Sequence, residues 1–367
     1  MEIYRCFLLP CTSLCDYYKE VMRVIQYIGV LLFFFLVSCE KNDVEPQKTR
    51  TLMVYLAGDN NLSGHMQKNI SSMMSAWKES YNANIVIYFD APNAAPELYT
   101  FRFKGKEVEK QVLKTYEEMD SADPEVLKKI LNEMQDLYPS DSYGLILGSH
   151  ASGWIPSGAS GRSNRMLHAE PVLTRSFGKD YTGSNEMDTR DMAKAIPFNK
   201  ENLEFILFDA CLMSSIEVLY DLRDKAKYVI ASPAELPAPG FPYARVMPYF
   251  WGKGKDLEKD LVKVCDEFWD YYNTYNATNR FGTIALIKMD EMEHLFDLTR
   301  EVLQGQKENV ATIKQNAVYC YPMVEYTKHD RFFDLGEYMK YMTEDREGLY
   351  KEYRDFLDNE VVIYKKA

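Results

Sequence analysis

No stretch of this 367-residue chain is dense in lysine or arginine, and acids outnumber bases 55 to 43, for a formal charge of −12. Proteins that neutralise phosphates need a basic patch or stripe, so nucleic acid is excluded as a partner. Cysteine is scarce: seven residues, scattered and without a C-x-x-C pair, exclude a disulfide scaffold and the usual opening of a zinc site. The five histidines contain no H-x-x-x-H, and there is no D-x-D-x-D-G loop of the calcium-binding kind. No repeat of fixed period is visible, and low-complexity sequence is confined to the Gly/Ser-rich stretch 157–163. What is present is an ordinary globular composition, 46% hydrophobic and 27% charged, enough for one large α/β domain or two smaller ones.

The N-terminal part is read separately. Residues 24–37 are an apolar run closed by Leu36-Val37-Ser38-Cys39. The run is short for a membrane span and ends in small residues beside a cysteine, so it resembles a bacterial lipoprotein signal with its lipobox. Asp16 and Glu20 put acid where the leading region of a signal is basic, which makes Met22-Arg23 the natural start. Residues 1–38 are thus read as the signal segment, Cys39 as the lipidation site and 39–50 as a tether, the polar stretch with Pro46 suiting that role. A membrane partner through a lipid anchor and an outer-membrane location, periplasmic or cell-surface, are the corresponding expectations. The acidic mature chain argues against adhesion to anionic lipid by charge.

From Thr51 onward the pattern is periodic. A short β-type run, 51–57, ends at Gly58-Asp59-Asn60-Asn61, and Met66, Ile70, Met73, Met74 and Trp77 then recur with helical spacing. Residues 85–89 read as a second buried strand. Asp123-Pro124 opens a helix whose apolar stripe is Leu127, Ile130, Leu131, Met134 and Leu137. Further strands are expected at 143–147, 205–208 and 228–231. Short apolar strands separated by amphipathic helices predict an α/β fold with a mostly parallel sheet flanked by helices. Past Trp251, a helical pattern (Leu257, Leu261, Val264, Cys265, Phe268), a strand near 283–287 and another helix read as a smaller C-terminal α/β subdomain. The expected division is 51–250, catalytic, and 251–367, C-terminal.

In open α/β sheets chemistry gathers beyond the carboxyl ends of strands. One such end delivers His150 into Ala151-Ser152-Gly153; another delivers Cys211 at the expected start of a helix. A thiol at a helix N-terminus sees the positive end of the macrodipole, and a histidine at a neighbouring strand end supplies a general acid and base. The pairing requires the two strands to be adjacent, which a separation of 61 residues permits. His65, His168, His294 and His329 fall on different elements without ligand spacing, and Cys265 and Cys320 read as inert thiols.

The segment Phe208-Asp-Ala-Cys-Leu-Met-Ser-Ser-Ile-Glu217 resembles the nucleophile segment of the clostripain-like cysteine peptidases, relatives of the caspases, and Leu147-Gly-Ser-His-Ala-Ser-Gly-Trp154 is similar to their histidine segment. The resemblance continues through Ser176-Phe-Gly-Lys-Asp180 and thins toward the C-terminus. It implies a caspase-like fold and a cysteine endopeptidase whose partners are proteins or peptides cut after Arg or Lys. In that picture Cys211 attacks the scissile carbonyl, His150 moves the proton, and the backbone N–H groups of Ala151 and Cys211 hold the oxyanion. Where the family usually has glycine after the histidine, and an aromatic two residues before it, this chain has Ala151 and Gly148. No third catalytic residue is assigned.

Asp209, two residues before the nucleophile, falls on the same side of its strand as Cys211 if the extended geometry persists, and the family's acid at this position forms the floor of the basic-residue pocket. Glu235, in the Pro-rich loop after the next strand, is a second acidic candidate. The resemblance also implies self-cleavage between the two catalytic segments, where Arg162, Arg165, Arg175, Lys179 and Arg190 lie. No cofactor is expected and no metal site is assigned; calcium is left open, since some family members depend on it. Two other readings share the scaffold: a surface lipoprotein that binds peptide or glycan without cutting it, and a peptide ligase.

Overall fold

The computed structural model describes residues 22, 50–155, 177–183, 186–252, 255–274, 281–304, 317–321, 331–343 and 346–367. Cys39, Arg162, Arg165 and Arg175 lie outside the described residues. Among the described residues nine strands form one sheet: β1 (Thr51–Ala57), β2 (Asn84–Ala91), β3 (Ala94–Lys104), β4 (Glu107–Thr115), β5 (Tyr143–Gly148), β6 (Leu203–Asp209), β7 (Tyr228–Ala231), β8 (Ile284–Lys288) and β9 (Val362–Lys366). Their spatial order is β4-β3-β2-β1-β5-β6-β7-β8-β9. The five central strands, β2-β1-β5-β6-β7, run parallel, and an antiparallel pair closes each side.

β1 shows why the centre is so apolar. Met53, Tyr55 and Ala57 enter the core on one face, Leu52, Val54 and Leu56 the core on the other. All six are buried, as a parallel strand covered on both faces requires. Full burial of one such aliphatic side chain is worth roughly 1.5–3 kcal/mol, so alternation and burial together fix the register of the sheet. The covering helices are α1 (Ser63–Ala76), α2 (Pro124–Leu137), α3 (Thr189–Ala195), α4 (Ile216–Asp221), α5 (Tyr243–Val246), α6 (Lys255–Thr274), α7 (Met292–Gln304), α8 (Leu335–Met342) and α9 (Glu347–Phe356). α2 starts as its sequence predicts: the Asp123 carboxylate caps the Glu125 N–H at 2.8 Å with Pro124 in the first turn.

Three expectations are corrected. The β3–β4 hairpin was not foreseen. Its outer strand, with Glu107, Glu109, Lys110 and Lys114, is mostly exposed and has no apolar run, as an edge strand can afford; Gly105, at φ 66°, opens the two-residue turn. The boundary at 250 disappears as well. β8 pairs with β7 and β9 with β8, while Leu257, Leu261, Val264, Cys265 and Phe268 of α6 enter the same core as Leu52 and Val54. Residues 48–367 are therefore one compact unit, in which 251–367 completes a core begun by the first strand. Cys265 is one of those core groups, and burial pushes its thiol far above the ordinary range. Finally, Arg50, read as the last tether residue, is already inside: its guanidinium donates to Ser142 Oγ at 3.1 Å and to the Phe250 carbonyl at 2.7 Å.

Candidate active site

The chain leaves β1 toward β2 on one side and later takes up β5 on the other, so the direction of winding reverses between β1 and β5, where open α/β sheets bind ligands. β5 and β6 are hydrogen-bonded neighbours with Gly148 opposite Asp209. His150 and Cys211 each follow two residues later, so the two strands deliver them side by side.

The nucleophile segment departs from expectation in detail. Helix α4 begins only at Ile216, five residues beyond Cys211, so the thiol is not at a helix N-terminus. Leu212 instead takes a left-handed conformation, φ 62°, a costly one for a branched side chain, of the kind found at functional turns. The loop after β7 holds this turn: Leu212 N–H donates to the Ala234 carbonyl at 3.0 Å and Ser214 N–H to the Ser232 carbonyl at 3.1 Å. The same loop reaches the sulfur, where Leu236 N–H donates to Cys211 Sγ at 3.3 Å. A directed N–H thus stands where the macrodipole was expected.

His150 is positioned from β1. Its Nε2 lies 2.5 Å from Asn61 Oδ1, and donation from Nε2 to that oxygen selects the tautomer in which Nδ1 is the base. Asn60 fixes the turn carrying Asn61: its amide donates to the carbonyls of Ala57 at 2.9 Å and Lys179 at 2.8 Å, and its Oδ1 accepts from Leu62 N–H. Ser149 ties the histidine segment to the same two elements, donating to the Ala57 carbonyl and accepting from Lys179 N–H. Burial first, and the Lys179 charge second, push the His150 imidazole down to about 4, so it is unprotonated at neutral pH. Among the described residues, no group accepts from the Ala151 N–H; the residue pairs with Phe177 through a bridge in which Gly178 N–H donates to the His150 carbonyl.

Asp209 is held among polar partners. Its Oδ2 accepts from Tyr243 OH at 3.0 Å and Asn69 Nδ2 at 3.4 Å, and the Phe241 backbone adds a donor. Gly240, at φ 69°, lies against it so closely that a Cβ there would stand 2.5 Å from both carboxylate oxygens. Burial pushes the carboxyl up to about 6, against the pull of Tyr243 and Phe241. At Gly148 the strand packs tightly: a Cβ would stand 2.7 Å from the Leu56 side chain and 3.9 Å from the Asp209 Cβ. Glu235 is half-buried on the loop that carries Leu236, and it is not among the groups that set the Asp209 charge.

A second group of acids supports the site from beneath. Asp59 Oδ2 accepts from Thr182 N–H and Oγ, and Asp180 from the N–H groups of Ser121, Thr182 and Gly183. These oxygens are used to hold residues 177–183 against the β1 turn. Among the described residues no cluster of three or more His, Cys, Asp or Glu is arranged to hold a metal ion. Two self-cleavage candidates fall on this ordered framework. Lys179 has its N–H and carbonyl bonded to Ser149 and Asn60, and Arg190 lies in the first turn of α3, its guanidinium 3.6 Å from Asp221. As a helical residue, Arg190 does not present the extended backbone a peptidase needs.

Asn61, Asn69, Tyr243 and the Leu236 N–H were missed by sequence reasoning. Asn61 had a signal: it follows the end of β1 just as His150 and Cys211 follow theirs. Tyr243 and Asn69, on α5 and α1, had none, because only the fold brings them to Asp209.

The chain resembles known proteins over nearly all of this structure. The profile of the C11 peptidase, clostripain family matches residues 54–367. Clostripain of Hathewaya histolytica is 29% identical over 254 residues, 62% of this chain and 47% of the relative, so this chain spans about half the length of that protein. A solved secreted C11 cysteine protease of Bacteroides thetaiotaomicron, called iotapain, superposes with a TM-score of 0.72 at 28% identity, over 88% of this chain and 87% of the other. An inactive zymogen C11 protease of Parabacteroides distasonis gives 0.70 at 31% identity, over 88% and 85%. With its caspase-like sheet and both motif segments at adjacent strand ends, this chain belongs to the clostripain family of cysteine peptidases.

Proposed function

We propose that the protein is an endopeptidase that cuts after Arg, and less readily after Lys, through a Cys211–His150 dyad. The observation that supports this reading most is the register of β5 on β6: Gly148 lies opposite Asp209, and His150 and Cys211 each follow two residues later at the carboxyl ends of these central strands. The Cys211 thiolate, with the Leu236 N–H as donor, attacks the scissile carbonyl, and the oxyanion forms against the N–H groups of Ala151 and Cys211. His150, oriented by Asn61, passes the thiol proton to the departing amine, then takes one from the water that cleaves the thioester. The Asp209 carboxylate receives the substrate guanidinium through two charge-assisted hydrogen bonds, a geometry the ammonium of Lys cannot match. Purified protein is expected to release fluorophore from an Arg-coumarin peptide and to lose that activity on alkylation with iodoacetamide; activity that survives complete alkylation of Cys211 refutes a thiol mechanism.

Self-cleavage between the two catalytic segments belongs to the same reading, at Arg162, Arg165, Arg175, Lys179 or Arg190, of which Arg190, in the first turn of α3, is the least suited. Wild type is expected to run as two chains and Cys211→Ala as one; fully active single-chain wild type refutes processing as maturation. Anchoring through an acylated Cys39 at the outer membrane is proposed on the lipobox alone. Cys39→Ala should move the protein from the detergent-soluble membrane fraction to the soluble one, and unchanged fractionation refutes it. Among the described residues no helix is long and apolar enough to cross a membrane.

A further inference from the structure

Beside the thiol, and separate from the two large cores, lies a small apolar cluster of Ile155, Leu212 and Phe332, with Tyr321 and Cys211 packed on it. Trp154 lies over its outer side, its ring 6.1 Å from that of Phe332, and is 38% exposed. Gly153 makes this possible: at φ 63° it runs so close to the Leu212 carbonyl and the Phe332 ring that a Cβ would stand 2.6 and 2.8 Å from them. Phe332 comes from far along the chain, on a bridged pair of segments in which Tyr321 N–H donates to the Phe332 carbonyl at 2.7 Å. An exposed tryptophan on a buried apolar base, next to a nucleophile, is the composition of a specificity subsite.

Cys211 is the partly buried residue common to this cluster and to the core that contains Tyr243, a partner of Asp209. Asp209 precedes Cys211 by two residues and Leu212 of the cluster follows it directly, so the thiol stands along the chain between the Asp209 carboxylate and the aromatic cluster. A substrate whose basic side chain reaches Asp209, with its carbonyl over the sulfur, continues toward the cluster, and residues 153–155 follow directly from the histidine that protonates the leaving amine. We infer that Trp154 and Phe332 form the subsite for an apolar, preferably aromatic, side chain on the residue that follows the cut bond. This rests on the peptidase reading above.

The test is capture of the acyl-enzyme. An Arg-coumarin substrate loads Cys211 and its coumarin departs, which leaves the subsite open to an added amine. An added amino-acid amide then competes with water: its nitrogen forms a new amide bond to the acyl carbon, the C–S bond breaks, and the amine proton returns to the sulfur through His150. Phenylalaninamide should capture the acyl group about 10-fold or more better than glycinamide, the scale expected of an apolar pocket. Trp154→Ala should bring that ratio near one and Trp154→Phe restore it; the ratio is read within each enzyme, independent of its rate of acylation. Equal capture by wild type, or an undiminished ratio in Trp154→Ala, overturns the subsite while leaving the peptidase reading intact. Absence of coumarin release by wild type overturns both.

Discussion

Cys211→Ala and His150→Ala are each expected to lower kcat on an Arg peptide by roughly 10⁴-fold or more, because removing one member of a nucleophile–base pair idles the other. The double variant should be scarcely worse than either single one, which separates a working dyad from two independent contributions. Both side chains lie at strand ends, Cys211 and His150 each only half-buried, so the fold should survive and circular dichroism should be unchanged. Asn61→Ala should give a smaller loss that falls on kcat rather than KM, since Asn61 acts through its bond to the imidazole. Near-normal turnover by either Cys211→Ala or His150→Ala would reject the mechanism.

The second large effect is expected at Asp209. With its carboxyl pushed up to about 6 by burial, Asp209 is charged at neutral pH and gains a proton as the pH falls through 6. Only the charged form pairs with a guanidinium. For wild type, kcat/KM on an Arg substrate should therefore drop about tenfold per unit below pH 6, while His150, at about 4, still serves as base. In the enzyme–substrate complex the bound cation holds the proton off, so kcat alone should show a weaker acid limb. Asp209→Asn should remove the limb near pH 6 and cut the preference for Arg over Leu by roughly 10² to 10³-fold, the scale of leaving one partner of an enclosed ion pair alone. An Arg preference that survives in Asp209→Asn, or an acid limb that stays in place, would assign Asp209 another role.

How far the sequence could be read follows from what each residue's placement depends on. The central strands were legible because burial on both faces demands unbroken apolar runs, as at Thr51–Ala57. His150 and Cys211 were legible because strand ends in such a sheet are where chemistry sits and their local motifs are specific. The hairpin of β3 and β4 escaped because an edge strand needs only occasional apolar residues, although Tyr99, Phe101 and the turn at Gly105 carried an alternating signal. The helix expected at Cys211 was misplaced because nothing local says that Leu212 will turn left-handed; the loop after β7 imposes it. Tyr243 and Asn69 were out of reach, since an unremarkable tyrosine and asparagine become ligands of Asp209 only once α5 and α1 meet beside it.

The pairing of β5 with β6 also bears on what a cut between the two catalytic segments would do. Any break in residues 156–176 severs the covalent link between His150 and Cys211, yet the strands that carry them lie at the middle of the sheet, paired from Tyr143 with Leu203 to Gly148 with Asp209. Each piece would own half of an interface whose parting strips Leu145, Ile146, Leu147, Ile206, Leu207 and Phe208 of their cover at once. Separation would amount to unfolding. The two products should migrate together through gel filtration and come apart only in denaturant, so that proteolytic processing of this chain yields a stable two-chain molecule rather than a released fragment.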